Sequence, residues 1–158
     1  MNSYERLVDF AENIGIEVVE KHFKSSAKGL CKGNKVGISK AIDSTVEKRC
    51  ILAEEIAHSL YTVGNILDQN NLFNMKQEEY ARKQAYEALL PLPLLIEAYQ
   101  QGIRSQYELA EYLEVTEEFL LSSLYHYQNK YGLYARHGKY MVCFSPLMIS
   151  EVTHNVAM

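Results

Sequence analysis

At 158 residues, 47% of them hydrophobic, the chain has room for one domain, or one domain with a small appendage, around a real core. A formal net charge of -4 argues against nucleic acid as the main partner. The first residues carry no basic start followed by a long apolar run, and no apolar stretch approaches roughly 18 residues. The sequence therefore predicts a cytoplasmic protein with no signal peptide and no membrane span. Its three cysteines, Cys31, Cys50 and Cys143, have no metal-type spacing and read as buried thiols of a reducing compartment.

In chain order, residues 3–14 predict an amphipathic helix with Leu7, Val8, Phe10, Ala11 and Ile14 on one side, ended by Gly15. Ile16 to Val19 alternates like a short strand. Gly29 to Lys32 and Lys35 to Ile42 predict two more, paired as a hairpin across Gly33-Asn34. Ser44-Thr45-Val46-Glu47 has the form of a capping box and opens a helix to about Val63, with Gly64 as its stop. A second long helix spans about Lys76 to Leu90 and is closed by Pro91 and Pro93. Residues 94–101 form a further helical segment. Residues 105–127 predict two helices around a tight turn at Leu113 to Thr116. A last hairpin pairs Gly132 to Arg136 with Lys139 to Phe144 across His137-Gly138.

The helix after Ser44 carries the sharpest chemical signal. On a wheel of about 100° per residue, Val46, Cys50, Leu52, Ala53, Ile56, Ala57, Leu60 and Tyr61 make most of its circumference apolar. The exception is a narrow arc of Glu54, Glu55 and His58. Glu54 and His58 are four apart and lie one above the other. The metalloprotease pattern H-E-x-x-H sets two metal ligands at this spacing with a glutamate base between them. Glu54-Glu55-Ile56-Ala57-His58 has the base and the second ligand, with Glu54 in place of the first His.

A carboxylate and an imidazole beside a buried face are costly unless compensated, and a bound cation compensates both. The bland alternative is an ordinary helical Glu-His pair and a satisfied core histidine. A third ligand is available from Glu78, which shares a helix face with Ala81, Ala85 and Leu89; Glu79 is the second choice. The bland role for Glu78 is an ion pair with Arg82 at i+4. His22, His126, His137 and His154 read as surface histidines, and most of the 12 tyrosines as half-buried packing residues.

Ile51 to His58, followed by Gln77 to Pro91, resembles the ImmA/IrrE type of zinc-dependent metallopeptidase of phages and mobile elements. The second stretch is similar to that family's E-x-x-A-x-x-x-A-x-x-x-L-L-P helix. The resemblance implies an α+β, zincin-like core with a small antiparallel sheet, followed by a helix-turn-helix-like segment. It divides the chain into a metallopeptidase-like core (1–93) and a helical segment with the C-terminal hairpin (94–158), packed as part of the same compact unit. It implies Glu55 as general base, with His58 and Glu78 as metal ligands and Glu54 as a variant first ligand. Two carboxylates make a harder donor set, which suits Mn2+ or Fe2+ as well as Zn2+.

The rhythm of Leu109, Ala110, Leu113, Val115, Phe119 and Leu120 fits a helix-turn-helix, but residues 105–129 hold five Glu and no Lys or Arg. Direct DNA binding is therefore not expected, since phosphates must be met by cations. The family resemblance implies a helix-turn-helix repressor protein as substrate, whose basic DNA-binding face the acidic segment would complement. The alternative is a non-catalytic antirepressor or adaptor that keeps the fold and acts by binding alone.

Overall fold

The computed structural model describes residues 1–62 and 72–152. The chain begins with helix α1 (Ser3–Asn13), where Asn2 and Glu5 form a reciprocal capping box. Tyr4 and Ala11 are buried, whereas Phe10 and Ile14, placed on the apolar side by the sequence, are about half exposed at 52% and 43%. Strands β1 (Glu17–Lys21), β2 (Gly29–Lys32) and β3 (Lys35–Ser39) follow in the order β1-β3-β2. The predicted hairpin forms, with Lys32 opposite Lys35 and Gly33 at φ +62° in its two-residue turn. β1 pairs parallel to β3, so this sheet is mixed rather than wholly antiparallel, and β2 is an edge.

Helix α2 (Thr45–Tyr61) lies between two cores. Leu52 and Ile56 join Tyr4, Ile16, Val36 and Ile38 under the sheet. Cys50, Ala53 and Ala57 instead join a larger cluster reaching into the C-terminal half. Leu60 and Tyr61, at the helix end, are exposed. Ser44 caps α2 by accepting from the Glu47 amide, but the Glu47 carboxylate pairs with Lys28 instead of completing the box. The predicted Gly64 stop lies outside the described residues.

Helix α3 (Leu72–Leu89) packs along α2 through Ala81 and Ala85, both essentially without exposure. Small side chains there let the two backbones come close. It includes Leu72 to Met75, four residues ahead of the predicted start. Helices α4 (Leu92–Gln100), α5 (Gln106–Leu113) and α6 (Glu117–Tyr131) follow. A second, fully antiparallel sheet closes the described chain: β4 (Tyr134–His137), β5 (Tyr140–Phe144) and β6 (Leu147–Glu151). Its first turn is Gly138-Lys139, one residue later than predicted, with Gly138 at φ +61°. No helix among the described residues is long and apolar enough to cross a membrane.

The two helices predicted around a tight turn form as α5 and α6, and the turn between them carries a left-handed Glu114 at φ 55°. A non-glycine residue in this region is strained by about 1–2 kcal/mol. Arg49 of α2 offsets the strain by donating to the carbonyls of Leu113 (3.0 Å) and Glu114 (2.8 Å). The last carbonyls of α5 thus gain a cation, which both the helix dipole and their unpaired lone pairs favour. Replacing Arg49 with Met keeps the stem and removes both bonds. Chemical denaturation should show the variant destabilised by about 1.5–3 kcal/mol.

Candidate active site

The polar arc of α2 emerges between α3 on one side and the edge strand β2 on the other. Two of its members are buried, Glu55 at 9% and His58 at 8% exposure. Their side chains meet, with His58 Nδ1 3.4 Å from Glu55 Oε2. Nδ1 donating to the carboxylate puts the lone pair of the neutral ring on Nε2. That atom is buried and has no hydrogen-bond partner among the described residues. Leaving such a group unsatisfied costs about 1–3 kcal/mol, and among the described residues the His58 ring is satisfied at Nδ1 alone.

The surrounding charges are mostly negative. Burial pushes the Glu54 carboxyl above the usual carboxylate range; Arg82 opposes this, and Glu55 adds to it. Burial works against the charged form of His58, but Glu55, with Glu78 and Glu54 further off, outweighs it and the net shift is upward. Glu118, at the start of α6, also acts on Glu54. The helix-turn-helix segment therefore borders the site, which no local sequence signal announces.

Glu78 lies on α3, at 22% side-chain exposure, and its Oε1 accepts from Arg82 Nη2 at 2.9 Å. The predicted i+4 pair is thus present. Glu79, the second choice, is 66% exposed and pairs with Lys83. Glu54, Glu55 and His58 are contiguous on α2, and Glu78 is near enough to influence His58. Even so, among the described residues no three His, Cys, Asp or Glu side chains are gathered so as to hold a metal ion.

The test of fit for a cation is therefore divided. The orphaned Nε2 and the desolvated Glu54 carboxylate have the donor chemistry of a divalent-metal site. The side-chain arrangement has the ligands close by but not drawn together. A cavity between α4, α5, α6 and β6, lined by Leu95, Leu109, Leu120, Leu124 and Phe144, includes none of these four residues.

Two features of β2 escaped the sequence reading. A Cβ at Gly29 would stand 2.6 Å from Ile51 Cγ2 and 2.9 Å from Glu55 Cγ, so the strand rests directly on the motif. A glycine inside a predicted strand is the available signal for such an approach. Cys31 faces the same region: burial lifts its thiol to about 11, and Glu55 adds to the rise. Ser59 Oγ donates to Gly33 O at 2.8 Å and ties the hairpin turn to α2.

His126, read as a surface residue, is buried against Glu87 at 3.1 Å, with Lys130 on the other carboxylate oxygen. This inter-helix pair is structural, and it explains how a histidine survives in an apolar face. His154 lies outside the described residues.

With the two helices and their polar arc in place, one comparison decides the family. The model of the IrrE N-terminal-like domain, of the M78 peptidases, matches residues 11–125. The chain belongs to this peptidase family. No curated protein matches it. The matched span of this IrrE-like domain runs from the end of α1 through most of α6, so it includes the Glu54–His58 motif, Glu78 and the helix pair α5–α6.

The contact at Gly29 makes a direct test of how tightly the IrrE-like site is built. Gly29→Ala should cost about 1–3 kcal/mol in unfolding experiments, as overpacking does. Gly37→Ala, whose nearest neighbour is the Phe23 ring at 3.2 Å, should cost less because a ring can give way.

Proposed function

We propose that the protein is a metal-dependent endopeptidase whose cation is held by Glu54, His58 and Glu78. The observation that carries this reading is the buried Nε2 of His58, without a partner among the described residues and one helical turn from a carboxylate, in a chain of a peptidase family. A bound divalent cation supplies Lewis acidity to the scissile carbonyl and to water.

The protein groups do the rest. Glu55 takes the proton from the attacking water and hands it to the leaving amine. Its contact with His58 Nδ1 fixes the ring and leaves Nε2 available for the cation. Glu54, in place of an imidazole, would bring a second anionic ligand, lowering the cation's Lewis acidity and making the set accept manganese or iron(II) as well as zinc.

The substrate in this reading is a helix-turn-helix repressor of a phage or mobile element, whose cleavage relieves repression. Glu108, Glu111, Glu114, Glu117 and Glu118 are all exposed on α5, its turn and α6. Their sign suits a basic DNA-binding domain. The second reading, an antirepressor or adaptor acting by binding alone, is favoured by one observation: Glu78 is engaged with Arg82 and the ligand set is not assembled.

Cleavage of a helix-turn-helix repressor separates the two. Endopeptidase action predicts that Glu55→Gln lowers turnover by about 10²–10⁴-fold while leaving metal binding intact, and that Glu54→His keeps or tightens the metal. The adaptor reading predicts no metal-dependent cleavage and unchanged repressor binding in both variants. Charge reversal at Glu117 and Glu118 should weaken repressor binding under either; unchanged affinity would remove the acidic face from the account.

A further inference from the structure

Three carboxylates and one histidine surround the cleft between α2, α3 and β2, and such a concentration of charge needs a counter-ion even without metal. Arg82 stands at this group: its guanidinium binds Glu78 directly at 2.9 Å, and its charge also acts on Glu54 of α2. One side chain is thus bonded to one proposed ligand and adds its positive charge to the surroundings of another on the neighbouring helix.

We propose that Arg82 is a built-in counter-cation that occupies the Glu78 carboxylate of the metal-free chain and must be displaced for a metal to enter. This inference rests on the metal reading above and adds a regulatory contact to it. Two physical effects act in the same direction. A carboxylate oxygen hydrogen-bonded to a guanidinium is not free to ligate, and a nearby positive charge repels an incoming dication.

The geometry also gives the displaced group a destination. Arg82 lines a cavity between α3 and α6, whose wall includes Glu79, Tyr86, Ser122, Tyr125 and Asn129. Leaving Glu78 therefore does not strand the guanidinium in an apolar place. The side chain is 45% exposed, so the pair with Glu78 is a weak, solvent-screened one that a ligand can break. This arrangement accounts for donors that lie close together without forming a closed set.

The test is calorimetric titration of the metal-free full chain with zinc, for the wild type, Arg82→Gln and Arg82→Lys, each checked for folding by thermal melting. The Gln variant keeps the stem and removes the charge. It should bind zinc roughly two- to threefold more tightly than the wild type, with the Lys variant close to the wild type. Equal or weaker zinc binding by Arg82→Gln, with the wild type still binding, overturns the counter-cation role and leaves the metal site standing. Failure of every variant to bind zinc overturns both.

Discussion

The constraint on which the rest depends is a buried imidazole nitrogen with no hydrogen-bond partner among the described residues. α2 is enclosed on most sides, by the sheet and α1 through Leu52 and Ile56 and by α3 through Ala53 and Ala57. A helix in that position is expected to be apolar all round. This one keeps Glu54, Glu55 and His58 in a single arc and leaves Nε2 unsatisfied among the described residues. A fold selected for stability alone would place a leucine at His58, because burying a polar group without a partner opposes folding.

The surroundings follow from that helix. β2 has a glycine where it crosses Glu55, since any side chain would collide with the motif. α3 has alanines where it meets α2, which brings Glu78 and Arg82 towards the same cleft. Arg49, from the second turn of α2, reaches the strained turn between α5 and α6, so the helix that bears the motif also fixes the segment that borders it. Chemistry and architecture share one element, and a change in α2 should be felt in both.

Local signals were readable in the sequence because their causes are local. Ser44 announces a helix start, Gly33-Asn34 a hairpin, and the alternation of Leu109 to Leu120 a helix-turn-helix, each through contacts within a few residues. The Glu54–His58 arc was readable for the same reason. Non-local choices were not. The parallel pairing of β1 with β3 joins segments 18 residues apart with no turn between them to specify it. Strand β6 owes its place to pairing with β5. The Arg49 bonds span 64 and 65 positions, and His126 is buried only because Glu87 waits on another helix. Glu47 departed from its capping role because Lys28, on the far side of a loop, offered a charge that the local pattern did not contain.

The central claim is that His58 Nε2 is a metal ligand. Plasma mass spectrometry of protein purified without a histidine tag or added metal tests it most directly. The account predicts close to one zinc, manganese or iron per chain, lost in His58→Ala while the fold is retained. A wild type without metal after incubation with zinc and manganese, or a variant that keeps its metal, would contradict it.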